Sequence, residues 1–116
     1  MRHISVRVSG TDEVVGSKIR LAHNPWQRFL GLMGTRDLPS GSGMLFEKTN
    51  AVHGFFMRYA VRLVFLDSQG RVLVVTQLKP WHVGPIVRQA RYVLELPENA
   101  STGMVHPGDQ LIWEIQ

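Results

Sequence analysis

The sequence predicts a mainly β domain of the α+β class, built as a small barrel-like sheet or sandwich with one short capping helix near residues 25–33. Short apolar stretches alternate with polar residues, turn-forming residues separate them at regular intervals, and one segment has helical spacing. The chain has 116 residues, of which 44% are hydrophobic and 19% charged. This length and composition predict a single folded domain over residues 1–116.

The first two predicted strands form the amino-terminal part of this domain. His3–Ser9 alternates apolar and polar residues, which places its apolar side chains on one face. Val14–Ala22 is its expected partner, and Gly10-Thr11-Asp12 supplies the turn between them. The two strands are therefore expected to pair.

One segment has the signals of a helix. Asn24 is a good N-cap, and Pro25 suits the first helical position. The apolar residues that follow recur at helical spacing: Trp26, Phe29, Leu30 and Met33. Gly34 is a suitable left-handed end.

The remaining elements are predicted to be strands joined by turns. The expected strands are Met44–Phe46, Arg62–Asp67, Arg71–Leu78, Arg91–Leu96 and Leu111–Ile115. Gly70 suits the positive φ of a hairpin turn. One helical turn is expected over Glu98–Thr102 and a tight turn over His106–Asp109. Two prolines bracket the loop Lys79–Pro85, which is expected to expose Trp81.

Composition excludes several classes of function. There is no cysteine, so disulfides, thiolate catalysis and cysteine-bound metals are excluded. No apolar run reaches the roughly 20 residues that a membrane-spanning helix needs, and the first ten residues lack the apolar core of a secretory signal. The sequence as given therefore predicts a cytoplasmic protein with no membrane span.

The formal net charge of +4 raises the question of nucleic-acid binding. Residues 1–50 carry seven Lys or Arg against four acids, and residues 51–116 carry six against five. No nucleic-acid recognition motif accompanies this even distribution. A mildly basic surface is the favoured interpretation.

Several segments, in order along the chain, resemble one known family. They are Arg28–Met33, Gly43–Phe46, His53–Arg58, Val64–Asp67, Gly70–Val72, Val93–Pro97 and Gly108-Asp109. They are similar to the bacterial and archaeal family named Domain of Unknown Function 192, over roughly residues 20 to 115. The resemblance implies a conserved domain with no established activity. Many relatives carry a leader peptide, and this chain shows none.

The sequence departs from the family pattern at two positions. Arg62 stands where relatives usually have an acidic residue entering the hairpin strand, and Ala60 stands where they often have proline. If the acid belonged to a site, Arg62 would reverse its charge. A catalytic role for position 62 is therefore doubtful in this protein.

The segment from His53 to Arg58 is the best candidate for a site, because it combines imidazole, aromatic, thioether and guanidinium groups. We expect a pocket where the predicted helix meets this segment, and binding rather than catalysis. The expected ligand-binding residues are Arg28, Met33, Met44, His53, Phe56, Met57, Arg58 and Glu95. An anionic or amphipathic small molecule, or an extended peptide, would suit them.

Three alternatives remain open at this point. An enzyme would use His53 with a nearby carboxylate as an acid–base pair. An interaction module would pair through an exposed strand edge. The methionines at 33, 44 and 57 with His53 are soft ligands that suit copper(I). Methionine is more often an adaptable core filler, so neither a metal nor another cofactor is expected.

Overall fold

The structure, a computed structural model, describes residues 2–22, 41–54, 59–98 and 105–115. These residues form seven strands: β1 Arg2–Val8, β2 Val14–Ala22, β3 Ser42–Glu47, β4 Val61–Leu66, β5 Val72–Leu78, β6 Tyr92–Pro97 and β7 Leu111–Ile115. All seven belong to one sheet in the order β5-β4-β6-β3-β2-β1-β7. The mainly β prediction is confirmed, with strand bounds that agree to within two residues.

Hydrogen bonds join the two ends of this sheet at one place. Arg71 and Gln110 form an isolated antiparallel bridge between the start of β5 and the start of β7. The amide of Val72 donates to the carbonyl of Asp109 at 2.8 Å, and the amide of Leu111 donates to the carbonyl of Gly70 at 3.0 Å. The sheet is therefore a curled half-barrel that closes at one end, which favours the barrel-like alternative over the sandwich.

The β4–β5 hairpin has the geometry that the sequence predicts. Gly70 has φ 83°, and its amide donates to the carbonyl of Asp67 at 3.1 Å. The register shifts by one residue between Phe65 and Leu66, which is the bulge expected beside a turn that ends in a left-handed glycine.

Each face of the sheet carries its own apolar cluster. The inner cluster draws buried residues from all seven strands, among them Ile4, Val6, Leu45, Leu94 and Leu111. The outer cluster lies on the opposite face of the middle strands and consists of Ala22, Met44, Phe46, Val61, Leu63, Phe65, Leu78 and Val93 with Val52 and Ala90 from the loops. The second cluster explains why β3, β4 and β6 are apolar on both faces.

Strands β2 and β3 are the parallel pair, with Arg20 opposite Met44. Parallel neighbours need a crossover connection, which residues 23–41 supply in this chain. The predicted capping helix near residues 25–33 lies in this connection, outside the described residues. Of the predicted turn Glu98–Thr102, only Glu98 is described. No helix occurs in the described ranges.

Candidate functional site

The outer face brings together two of the residues that the sequence selects. Glu95 on β6 is paired with Met44 on β3 on one side and with Leu63 on β4 on the other. Residues that are directly opposite across a ladder point to the same face, with Cβ atoms about 5 Å apart. Met44 and Glu95 are therefore side-by-side neighbours on the outer face.

Glu95 is the most unusual residue of this face. Its exposure is 0%, and within the described ranges it is the one charged side chain in the buried core. A carboxyl group in such a place costs several kcal/mol unless hydrogen bonds, an opposite charge or a proton compensate it. Most core positions avoid that cost with an apolar residue, so Glu95 is a candidate for a functional group.

Two loop segments pair with each other over the outer face. The amide of Gly54 donates to the carbonyl of His82 at 2.7 Å, and the amide of Trp81 donates to the carbonyl of Gly54 at 2.7 Å. The amide of Gly84 donates to the carbonyl of Val52 at 3.0 Å. We call this paired arrangement of residues 50–54 and 81–87 the loop ladder.

The loop ladder packs on the outer face through its glycines. A methyl group on Gly84 would lie 3.3 Å from Cδ1 of Leu63, the cross-strand neighbour of Glu95. A methyl group on Gly54 would lie 3.4 Å from Cγ of Leu78. Glycine is required by closer contacts inside the loop ladder. A methyl group would lie 2.5 Å from the carbonyl oxygen of Lys79 at Gly54, and 2.9 Å from the carbonyl oxygen of Val52 at Gly84. The two glycines therefore let the loop segments pair closely while they pack on this face.

His53 lies in the loop ladder, where it forms an antiparallel bridge with Val83. Its side chain is exposed, whereas Glu95 is fully buried, so the two differ in environment. Of the predicted site residues, the structure describes His53, Met44 and Glu95. The other five, Arg28, Met33, Phe56, Met57 and Arg58, lie outside the described residues, and their part in a pocket stays a prediction.

Arg62, the departure from the family pattern, lies away from Glu95. It is paired with Leu96 and Gln77, one position along β4 from Leu63, and so projects to the other face of the sheet. Its Nη2 donates to the carbonyl of Glu98 at 3.4 Å. The charge at position 62 therefore does not enter the row that holds Met44 and Glu95.

Asp67 has a local structural role in the β4–β5 turn. Its Oδ1 accepts hydrogen bonds from the amides of Arg71 at 3.0 Å and Gln69 at 2.9 Å. The bond from the Arg71 amide is the main reason that the pKa of Asp67 lies below its ordinary value of 3.8. Asp67 and Glu95 are not neighbours, because Asp67 follows Leu66, the partner of Tyr92, and Glu95 is paired with Leu63.

No group of three or more His, Asp or Glu side chains that could hold a metal ion occurs in the part of the chain that the structure describes. An open recess of about 240 Å³ lies where β7 meets the β4–β5 turn, lined by Ser68, Gln69, Leu111, Ile112 and Trp113. It lies beside the closed end of the half-barrel, far along β5 from the loop ladder.

The catalytic alternative, in which His53 acts with a carboxylate, stays a prediction.

The strand-edge alternative also stays a prediction. β5 and β7 end the sheet order, and beyond their single bridge neither is paired with another described strand along its outer edge.

No described helix is long and apolar enough to cross a membrane.

Comparison with known proteins identifies the family. A family model described as "Uncharacterized ACR" matches residues 5–113. The chain belongs to the Domain of Unknown Function 192 family. The UPF0127 protein of Pyrococcus furiosus is 38% identical over 105 residues, covering 83% of this chain and 86% of that protein. Its counterpart in Pyrococcus horikoshii is 34% identical and covers 83% of this chain and 87% of that protein. The resemblance found in the sequence is confirmed.

Two solved structures resemble this structure in fold. A protein of unknown function from Novosphingobium aromaticivorans matches with a TM-score of 0.70 and 19% identity, over 96% of this chain and 84% of that one. A proposed transcription regulator from Sinorhizobium meliloti matches with a TM-score of 0.66 and 26% identity, over 97% of this chain and 92% of that one. The first likeness concerns the fold alone.

The exposure of Trp81 is confirmed at 61%. Sequence reasoning missed its neighbours Val83 and Ile86, which are 71% and 72% exposed. Val83 and Ile86 were missed because apolar β-branched residues are typical of buried strands. The signal that could have found them is their place between Pro80 and Arg88, where proline prevents a regular ladder.

Proposed function

We propose that residues 1–116 form a single small binding domain whose ligand is an anionic or amphipathic small molecule or an extended peptide. The binding site would be the segment His53–Arg58 together with Met44 and Glu95 on the outer face, with Arg28 and Met33 from the connection between β2 and β3.

The observation that carries the proposal is the attachment of this segment to the outer face at both ends. Gly54, at its start, is buried against Leu78, and Tyr59, just after its end, packs against the outer cluster. Glu95 lies in the same face and is fully buried. Ligand sites of this kind combine an apolar lining with a few placed polar groups, which is the chemistry of these residues.

Charge supports the anionic character of the ligand. The loop segments and their neighbours, residues 48–58 and 79–91, carry five cationic residues and no acid: Lys48, Arg58, Lys79, Arg88 and Arg91. Such an excess attracts carboxylates and phosphates. Arg58 within the candidate segment could bind either group through two parallel hydrogen bonds.

The test is a ligand titration with three probes: inorganic phosphate, citrate and decanoate. Thermal unfolding and amide NMR shifts would be measured for the native chain and for His53→Ala and Arg58→Ala. A probe that binds at the site raises the melting temperature of the native chain, because a concentration of 100 times Kd adds about 2.7 kcal/mol to stability. Both variants are expected to fold and to lose most of that rise.

Matched controls use exposed residues elsewhere. Lys18→Ala removes an exposed cation from β2, and His106→Ala removes an exposed imidazole from the turn at the far end of β5. Both should bind like the native chain. If His53→Ala and Arg58→Ala fold normally and keep every probe that the native chain binds, the site is assigned wrongly.

A further inference from the structure

The loop from Lys79 to Arg88, which we call the tryptophan loop, carries an exposed apolar surface. Trp81, Val83 and Ile86 are 61%, 71% and 72% exposed. The other large apolar residues exposed in the described part of the chain, Val14 and Ile115, lie singly on strands. Isolated exposed apolar residues are ordinary, but three within six positions mark a contact surface.

Trp81 occupies a turn position that normally belongs to glycine. The amide of His82 donates to the carbonyl of Lys79 at 3.2 Å, and Trp81 has φ 64°. With Pro80 at the second position, this is a type II turn, whose third position favours glycine. A bulky residue at positive φ costs about 1–3 kcal/mol, and such strain often occurs at functional positions. The fold therefore keeps Trp81 in an unfavourable backbone conformation that places its indole ring at the tip of the turn.

The rest of the chain holds this surface in place. The hydrogen bonds of the loop ladder join residues 81–87 of the tryptophan loop to residues 50–54. Within the tryptophan loop, Nδ1 of His82 lies 2.8 Å from the carbonyl oxygen of Pro80. The amide of Val87 donates to the carbonyl of Asn50 at 3.0 Å. The apolar side chains are thus presented on a fixed frame, so that binding through them needs little further ordering of the backbone.

The surroundings of the apolar tip are cationic. Lys79 and Arg88 are exposed at its two ends, and Arg91 is exposed just beyond, with its Nη1 donating to the carbonyl of Arg88 at 3.0 Å. Along the chain no acidic residue occurs between Asp67 and Glu95, and Glu95 is buried. The exposed carboxylate of Glu98 accepts a hydrogen bond from Nε2 of Gln77, two residues before Lys79, so cations predominate around the tip with one acid at its β5 end. An anionic surface is therefore the complementary partner.

The size of the apolar surface decides between a membrane and a folded protein. Three side chains at these exposures present roughly 400 Å², about half of the ~800 Å² that each partner buries in a stable protein interface. An aromatic and aliphatic tip with flanking cations is, in contrast, the usual composition of a segment that enters the interfacial layer of a bilayer. The same tip would contribute little to binding the backbone phosphates of nucleic acid.

We infer that the tryptophan loop is a peripheral membrane-docking site for anionic phospholipid surfaces. Trp81, Val83 and Ile86 enter the headgroup layer, and Lys79 and Arg88 contact the lipid phosphates. Binding combines a small apolar contribution with an electrostatic one, so both an anionic headgroup and the exposed tip are required.

The test is co-sedimentation of the whole chain with two kinds of vesicle. One kind is phosphatidylcholine alone, and the other contains about 30% of the anionic lipid phosphatidylglycerol. The native chain should bind the anionic vesicles at least about tenfold more tightly than the neutral ones. Trp81→Gly is the informative variant, because glycine suits the turn position and should preserve the fold. Trp81→Gly and Ile86→Ser should each weaken binding about tenfold, and Lys79→Gln about fivefold.

Two controls separate this site from general surface effects. Val14→Ser removes an exposed apolar residue from β2, and Lys18→Gln removes an exposed cation from the same strand. Both should bind anionic vesicles like the native chain. The inference is overturned if the native chain does not bind anionic vesicles, or if Trp81→Gly with Ile86→Ser folds and binds as tightly as the native chain. It is also overturned if Lys18→Gln weakens binding as much as Lys79→Gln, or if sedimentation shows that the loop binds a second copy of the chain instead.

Discussion

Closure of the half-barrel predicts an unusually large cost for one glycine-to-alanine substitution. Gly70 has φ 83°, and a methyl group there would lie 2.8 Å from the carbonyl oxygen of Leu111 on β7. Gly108 in the facing turn has φ 94°, but a methyl group there would meet no atom within 4 Å. The two positions have the same backbone requirement, and only Gly70 is pressed against another strand.

The expected costs follow from this difference. Alanine at positive φ costs about 1–2 kcal/mol, which Gly108→Ala and Gly70→Ala should share. At Gly70 the methyl group must also displace the Leu111 carbonyl by several tenths of an ångström, because ordinary contacts begin near 3.4 Å. That displacement strains the hydrogen bond from the Leu111 amide to the Gly70 carbonyl, and overpacking of this kind adds about 1–3 kcal/mol. Gly70→Ala should therefore cost about 2–5 kcal/mol in total.

Urea unfolding followed by far-ultraviolet circular dichroism measures both variants. The free energy of unfolding should fall by about 1–3 kcal/mol more for Gly70→Ala than for Gly108→Ala. For a domain of this size, that corresponds to a further fall in the melting temperature of roughly 4–12 °C. An unchanged m value would show that the native and unfolded states keep their exposed surface.

Costs for the two variants that agree within about 0.5 kcal/mol would contradict closure of the sheet at this end. They would mean that β7 does not press on the β4–β5 turn and that the sheet is open at this end. A cost at Gly108 greater than at Gly70 would refute it equally, because nothing near Gly108 opposes a methyl group.

Two further predictions concern the same sheet. Asp67→Ala should lower the melting temperature at pH 7, because the pKa of Asp67 is depressed in the folded state. A depressed carboxyl pKa contributes stability that is fully present above the unfolded value of 3.8 and is lost as the pH falls through the lower folded value. The melting temperatures of the native chain and the variant should therefore begin to converge only as the pH falls below about 3.8. A gap that widens on acidification would contradict this assignment. Phe65→Ala should cost about 3–5 kcal/mol in urea unfolding, since Phe65 is fully buried in the outer cluster. Val74→Ala, at its half-buried cross-strand partner, should cost less; a reversed order would contradict the packing.

Local patterns were sufficient for the strands and turns. Val14–Ala22 and Leu111–Ile115 were predicted with the bounds that they have, and Gly70 with its positive φ. These features depend on residues within a few positions of each other, since alternation and turn chemistry are local properties. The family assignment is of the same kind, because it rests on short segments in a fixed order.

The candidate site was predicted only in part for a different reason. The sequence selected Met44 and Glu95 separately, but their adjacency depends on the pairing of β3 with β6, which are far apart in the chain. The wide exposure of Val83 and Ile86 depends on the loop ladder, which joins residues 50–54 to residues 81–87. Neither arrangement leaves a local signal.

The residues alone were enough to predict a mainly β member of this family, with seven strands bounded to within two residues and a hairpin that turns at Gly70. Three features came from long-range packing and not from local pattern: one curled sheet closed at Arg71 and Gln110, the full burial of Glu95 on its outer face, and the two exposed apolar neighbours of Trp81. The physical reason is that burial is a property of the whole arrangement. A side chain is covered or exposed according to which distant segments pack against it, and residue spacing along the chain does not specify those contacts.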